Sequence, residues 1–374
     1  MLFGAALVFL YVLCRAVLPL GCGVKRKILL GAGVFILSFK FQLMRRIAGP
    51  MFFAPDLPNG ILVAATWCYA VFFLFFLLLV VADLCRLAWW CVRKIGRLPS
   101  KNTLYAVNMA LLVAAAMLAS LGMVNCLKAP ELRTVEARYA KLPPELEGFK
   151  IVLLADLHAD KLTPPDSIPD IVRRVNALEP DLIAIAGDFA DGPVGRIAPK
   201  LAPLKDLRAK HGVFAVPGNH EYYSGYAEYM SYLATLGMTM LENSRRTVAP
   251  QLVVAGITDP AARRYGLPMP DVHGVLDPKK LPAGAFVLFL AHEPVYAKQA
   301  WGRADMQLSG HTHGGLMRGF DKLVALFNGG FVSDLYKIGD MLLYVSRGTS
   351  LWKGFPVRLG VPAEITLITL KRAG

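Results

Sequence analysis

Gly187-Asp188-Phe189-Ala190-Asp191 closes the apolar run Leu182-Ile183-Ala184-Ile185-Ala186, so a carboxylate stands where a buried strand ends. Four other short groups have the same character: Asp156-Leu157-His158, Gly218-Asn219-His220-Glu221, Ala291-His292 and Gly310-His311-Thr312-His313. Each follows an apolar run or sits at a glycine turn, and each supplies an oxygen or imidazole donor. Carboxylates with borderline nitrogens suit divalent transition metals such as manganese, iron or zinc. Side chains two apart at a strand end can point the same way. The candidate assignment gives Asp156, His158, Asp188 and His313 to a first metal, and Asp188, Asn219, His292 and His311 to a second. Asp188 is then shared, and the neutral oxygen of Asn219 limits negative charge around the second ion. The glycines at 187, 218 and 310 let backbone approach the metals.

Two such ions, about 3.5–4 Å apart, would bind a phosphate ester and lower the pKa of a bridging water. The resulting hydroxide would attack phosphorus in line with the leaving oxygen. His220 is not needed as a ligand and is assigned as general acid, with Asp191 and Glu221 fixing imidazole orientation from behind. Taken singly, each group has a plainer reading: an acid after a strand is commonly a helix cap or turn residue. Five correctly typed groups in order make coincidence a poor account. His211 and His273 lack partnered spacing and read as surface residues.

The elements that must position these groups alternate. Strands are expected at Lys150–Ala155, Asp181–Ala186 and Val213–Val216, with helices at Ser167–Leu178, Ile197–Lys210 and Gly225–Leu236 between and after them. Ser167 with Asp170 resembles a capping box. Further strands are expected at Gln251–Ala255, Ala285–Leu290, Met306–Leu308, Leu342–Val345 and Glu364–Leu370, and Lys128–Tyr139 reads as extended. The pattern predicts a layered α/β domain with a partly antiparallel second half.

The 374 residues divide sharply near residue 126. Before it, twelve basic residues face only Asp56 and Asp83, so this third carries about +10 of the net +14. All six cysteines lie there, without zinc-site spacing, so the remainder has no disulfide framework. Apolar runs at 2–20, 28–44, 61–82 and 103–126 each approach the ~20 residues that cross a bilayer, predicting a four-helix transmembrane bundle. A cleaved signal peptide is the rival for the first run, but it lacks a basic n-region and a small-residue cleavage site. Arg15 and Lys40 near span ends are expected to snorkel. Basic loop residues, among them Lys94 and Arg97, count eight against six for a catalytic domain outside the cytoplasm. The expected organisation is a transmembrane region 1–126, a linker and first strand 127–149, and a catalytic domain 150–374, in a multi-pass cell-membrane protein. The bilayer is the expected partner, and a charge of about +4 on the larger part argues against nucleic acid.

The ordered set Asp-x-His, Gly-Asp-x-x-Asp, Gly-Asn-His-Glu, His and Gly-His-Thr-His resembles the calcineurin-like metallophosphoesterase superfamily. Leu142-Pro-Pro-Glu-Leu-Glu-Gly-Phe-Lys-Ile, Gly-His-Thr-His-Gly-Gly and the closing Pro-Ala-Glu-Ile-Thr-Leu resemble its membrane-associated bacterial branch. That branch is similar to vertebrate transmembrane proteins with a metallophosphoesterase domain. Leu316 stands where the branch usually has glutamine. The resemblance covers roughly residues 134 to 372 and implies a four-layer αββα sandwich with the site at strand ends and the ligand set above. It also implies UDP-2,3-diacylglucosamine-like substrates as one option. The expected function is a membrane-anchored dinuclear phosphoesterase acting on a phosphate ester or pyrophosphate, lipid-linked by virtue of the spans. A transport or signalling protein with a metal-binding sensor domain is one alternative, although the spans offer few polar residues beyond Asn108 and Ser120 and no charged pair. A nuclease is the other, and it lacks a basic groove.

Overall fold

The computed structural model describes residues 2–49, 52–93, 100–249 and 251–373; Lys94 and Arg97 of the basic loop lie outside them. The chain forms two units, one of residues 1–125 with 354–357, the other of residues 126–353 with 358–374.

The first unit is helical. It contains α1 (Leu2–Val12), continued by a π turn over Leu13–Val17, α2 (Val24–Ser38), α3 (Lys40–Ala48), α4 (Asn59–Arg93) and α5 (Lys101–Cys126). Among the described residues two helices, α4 and α5, are long and apolar enough to cross a membrane, and α2 with α3 makes a third only if the pair counts as one bent span. The expected four spans are therefore not found as four long helices. The second run breaks at Phe39 with a 69° bend, and its later half carries Lys40, Arg45 and Arg46 in nine residues, too polar for a bilayer core. The first apolar helix, Leu2–Val17, is shorter than a full span.

A charged pair, which the sequence reading did not anticipate, joins these helices. Helix α4 runs well past residue 82, so Asp83 lies within it, and Arg15 bonds its carboxylate through Nε at 2.9 Å and Nη2 at 2.9 Å. Tyr11 Oη donates to the same carboxylate at 2.8 Å and Arg86 Nη1 at 3.0 Å. Arg15 Nη1 reaches Asn108 Oδ1 at 3.4 Å, and Asn108 Nδ2 returns a bond to the Arg15 carbonyl. Arg15 thus engages protein partners rather than snorkelling. Lys40 donates to the Gly354 carbonyl at 3.1 Å and lies over the Tyr69 ring.

The second unit is a sandwich of two six-stranded sheets. The first sheet has the order β1-β12-β2-β3-β4-β5, from β1 (Glu131–Tyr139), β2 (Lys150–Leu154), β3 (Leu182–Ala186), β4 (Val213–Val216), β5 (Met238–Met240) and β12 (Glu364–Arg372). The second has the order β10-β11-β9-β8-β7-β6, from β6 (Ser244–Ala249), β7 (Leu252–Gly256), β8 (Phe286–Leu290), β9 (Met306–Ser309), β10 (Asp334–Ile338) and β11 (Met341–Val345). Its central strands are parallel and both edge pairs antiparallel.

Strand alternation explains the layers. Ile151, Leu153 and Ala155 face Leu252, Val254, Leu288 and Met306 in the core between the sheets. Val152 and Leu154 point the other way, against Ile168, Ile171 and Val175 of α6 (Ser167–Asn176), Ile197 and Leu201 of α7 (Val194–Leu201) and Leu233 of α9 (Tyr226–Thr235). The six-residue α8 (Asn219–Ser224) precedes α9. Outside the second sheet, α10 (Val272–Val275) and α11 (Ala297–Ala300) cover Val287 and Phe289, and α12 (Asp321–Phe327) follows β9. Strands buried on both faces read as unbroken apolar runs, which is why β2, β3 and β8 are legible in sequence. The helix expected over Ile197–Lys210 instead gives way to a 3-10 turn at Ala202–Asp206, where Pro203 cannot continue the hydrogen-bond ladder. Ser167 is the first helical residue of α6 and Asp166 its cap, with no side-chain cap bond.

Removing one partner of a part-buried ion pair leaves the other uncompensated. A double-mutant cycle over Arg15→Leu and Asp83→Leu, read by thermal unfolding of the full chain in detergent, is expected to give a coupling of about 0.5–3 kcal/mol. Strict additivity would deny the pair its role in joining α1 to α4.

Candidate metal centre

Strands β2, β3 and β4 run parallel, as do β8 and β9, so their carboxyl ends lie at common edges, where α/β sheets bind ligands. The loops that leave them are laced together. Asp156 N–H donates to the Gly187 carbonyl at 3.0 Å, His158 N–H to the Asp188 carbonyl at 3.0 Å, and Gly310 N–H to the His292 carbonyl at 3.0 Å. Asp156 Oδ1 accepts the His311 N–H at 3.0 Å, joining one sheet's edge to the other's. Gly187 has φ +85°, and a Cβ there would sit 2.7 Å from His292 Nδ1. At Gly310 a Cβ would meet Asp156 Oδ2 at 2.7 Å. Asp156, His158, Asp188, His311 and His313 all have positive φ, between 43° and 72°. Non-glycine residues seldom adopt this left-handed region, and such outliers cluster at ligand clamps.

The donor atoms form two groups around Asp188 Oδ2. On one side that oxygen is 3.6 Å from His158 Nε2. His158 Nε2 is 3.1 Å from His313 Nε2, and His313 Nε2 is 3.8 Å from Asp156 Oδ1. On the other side Asp188 Oδ2 is 3.3 Å from His292 Nε2. His292 Nε2 is 3.2 Å from Asn219 Oδ1, and His311 Nδ1 lies 3.1 Å from that oxygen and 3.3 Å from His292 Nε2. Ligand atoms about 2.1 Å from one ion stand roughly 3.0–3.4 Å from each other. The second group has that spacing, the first is wider at 3.1 to 3.8 Å, and the seven expected ligand residues are all brought together.

Hydrogen bonds at the back of the rings set which nitrogen faces inward. His292 Nδ1 donates to the Ala186 carbonyl at 2.7 Å, leaving Nε2 as the lone-pair donor. Asp191 Oδ1 accepts from Nδ1 of both His158, at 3.3 Å, and His220, at 2.5 Å. His158, Asp191 and His220 are therefore a hydrogen-bonded triad in which Asp191 engages the Nδ1 side of both rings. Glu221 corrects the reading that paired it with imidazole orientation. Its carboxylate accepts backbone N–H groups of Asp188 at 3.0 Å, Phe189 at 2.8 Å and Gly218 at 2.8 Å, and so fixes the loops instead.

Burial dominates the electrostatics. It pushes the Asp156 carboxyl up, to about 6, with neighbouring Asp188 adding to the rise and His292 opposing it. Burial also lowers the His311 imidazole, to about 3, with neighbouring His292 adding to the fall; a neutral imidazole is the form that ligates metals. His220 goes the other way. Burial lowers it, but the carboxylates of Asp188 and Asp191 outweigh that and raise it to about 9.

Three features escaped the sequence reading. Tyr223 and Trp352 flank the His220 ring, at centroid distances of 5.5 and 5.8 Å. The loop after β11 buttresses the ligands: Thr349 N–H donates to the Ala155 carbonyl at 2.7 Å and Ser350 N–H to the Asp156 carbonyl at 3.1 Å. Arg358, fully buried, holds that loop by donating to the carbonyls of Arg347 at 2.9 Å, Gly348 at 3.4 Å and Val361 at 3.2 Å. A Ser-Arg-Gly-Thr-Ser turn after a strand was the only sequence signal for this support. His211 and His273 are exposed, as read.

Residues 149–315 match the calcineurin-like phosphoesterase family. A transmembrane protein with metallophosphoesterase domain from Danio rerio is 32% identical over 86% of this chain and 77% of its own length. The Bos taurus protein of that description is 33% identical over 77% of this chain and 67% of its own. An uncharacterized metallophosphoesterase of Helicobacter pylori is 33% identical, covering 89% of each chain. With the family's divalent-metal chemistry matched by the donor clusters at the strand ends, the chain belongs to the calcineurin-like metallophosphoesterases and is a metal-dependent phosphoric ester hydrolase with apolar transmembrane-length helices.

Proposed function

We propose that this is a membrane-anchored phosphoesterase using two divalent ions, manganese, iron or zinc, to hydrolyse a phosphate ester or pyrophosphate carried by a lipid. The observation that carries the reading is the position of Asp188 Oδ2, 3.6 Å from His158 Nε2 and 3.3 Å from His292 Nε2, one oxygen common to two donor sets. Asp156, His158, Asp188 and His313 would hold one ion, and Asp188, Asn219, His292 and His311 the other. Ions bound there supply Lewis-acid polarisation of a phosphoryl oxygen and an acidified water.

The chain's own groups do the remaining work. His220 Nδ1 is committed to Asp191, so its Nε2 carries the proton that a leaving oxygen needs. Asp191 keeps that ring charged and aimed. Tyr223 and Trp352 stand beside it and give the leaving group an aromatic wall. A UDP-2,3-diacylglucosamine-like molecule is one lipid-linked substrate of the required class. The Arg15–Asp83–Asn108 group in the helices satisfies itself, so it favours anchoring over transport. The loop-charge count, eight basic residues against six, favours a catalytic unit outside the cytoplasm, and a reporter fused at the carboxyl terminus reads that side directly.

Chelation should abolish hydrolysis of bis-p-nitrophenyl phosphate, and added manganese should restore it. Asp188→Asn should lose activity by about 100-fold or more, the scale of removing one such electrostatic group, and bind fewer ions per chain; undiminished turnover would refute the shared-carboxylate assignment. His220→Gln should lose about 100-fold or more with a poor alkoxide leaving group, and much less with p-nitrophenolate, which departs without a proton. In the parent enzyme the rate should fall as pH rises through about 9, where His220 gives up its proton. Asp191→Asn removes a negative charge that favours the imidazolium, so this alkaline limb should move to lower pH; an unmoved limb would exclude His220 as the acid.

A further inference from the structure

Helix α12 begins six residues after Gly315, in the same excursion that supplies His311 and His313. Its start abuts the site loop: a Cβ on Gly315 would collide with Asp321 Cα, and Asp321 N–H donates to the Met317 carbonyl at 3.2 Å. The face it turns outward is apolar. Leu323, Leu326 and Phe327, at i, i+3 and i+4, are 45%, 76% and 79% exposed. Residues at that spacing share one side of a helix. Arg318, Lys322 and Lys337 are exposed on the same stretch of chain. The one acid in the helix, Asp321, turns back to accept the Gly319 N–H.

We infer that α12 is a membrane-contact helix, seating Leu323, Leu326 and Phe327 among the acyl chains of the bilayer that the chain's own helices enter, with Lys322 toward anionic headgroups. Three side chains cover a few hundred Å², well short of the roughly 800 Å² per partner that a stable protein interface buries. A surface that small cannot hold a second copy from solution. A membrane is different, because the chain is already there. Only residues 127–130 separate α5 from β1, so lipid is present at high effective concentration and weak partitioning suffices. An apolar stripe with a lysine on the same helix suits a membrane interface, and a basic group near the surface gains from anionic lipid. The consequence is that the metal centre's own loop meets the surface from which a lipid-linked phosphate would be drawn. The inference rests on the membrane-anchored part of the proposed function, not on hydrolysis.

The test uses the full chain in nanodiscs of phosphatidylcholine and phosphatidylglycerol, with Phe327→Trp and, separately, Leu326→Trp. Emission of the added indole, taken as the difference from the parent protein, should be blue-shifted and strongly quenched by lipids brominated on the acyl chains. It should resist acrylamide. Emission quenched by acrylamide but not by bromolipid would place the face in water and overturn the inference. Resistance to both quenchers would show that protein covers it, and would overturn it equally. Because the readout is lipid contact, it can fail while the phosphoesterase reading stands, and the reverse.

Discussion

One carboxylate oxygen, Asp188 Oδ2, is the point on which the catalytic unit turns. It is buried at the end of β3, and the other oxygen of the same group is tied down by the His220 N–H at 2.9 Å. Beside it, imidazole nitrogens and an amide oxygen stand 3.1 to 3.6 Å from it or from one another. Where Asp191 and the Ala186 carbonyl have taken the ring protons of His158 and His292, the inward atoms are lone pairs facing one another. Lone pairs gathered out of water are costly unless something positive compensates them. A cation between them turns that repulsion into binding. The same reasoning accounts for how little of the centre is left to chance: every strand-end loop is bonded to another, and Glu221 ties three backbone N–H groups at once.

That support extends well away from the ligands. Arg358 is a buried guanidinium whose hydrogen bonds go to main-chain carbonyls, and through them it holds the loop that carries Thr349 and Ser350 against the end of β2. Glu364, buried on β12, accepts the Tyr344 hydroxyl at 2.8 Å and the Arg347 N–H at 3.2 Å. Two charged residues late in the chain thus set the backbone beneath Asp156, more than two hundred positions earlier. Buried polar groups of this kind are stable only as a complete network.

What could be read from sequence follows from distance along the chain. The ligands are legible because each lies within two to four residues of a strand end, so the apolar run that makes the strand also places the donor. Strands β6 and β10 were missed: Ser-Arg-Arg-Thr-Val-Ala and Asp-Leu-Tyr-Lys-Ile are edge strands, half-exposed, and lack a continuous apolar signal. The bend at Phe39 was missed because neither glycine nor proline marks it. Arg15 and Asp83 are 68 residues apart, and Asp83 falls beyond the expected span because apolarity ends before the helix does. Glu221 differs from its sequence reading for a related reason: its neighbour in sequence is an imidazole, but its neighbours in space are amides.

The left-handed backbone at Asp156, His158, Asp188, His311 and His313 bears on how this centre can vary. A side chain there must satisfy two filters at once, one chemical and one steric. Aspartate, asparagine and histidine are the non-glycine residues that enter this conformation most readily, and they are also metal donors. Valine or isoleucine would be excluded by backbone geometry before donor chemistry was consulted. The route open to drift is therefore narrow. Exchange within that small alphabet can retune charge or donor strength and keep the loop's shape, whereas leaving the alphabet alters the scaffold and the chemistry together.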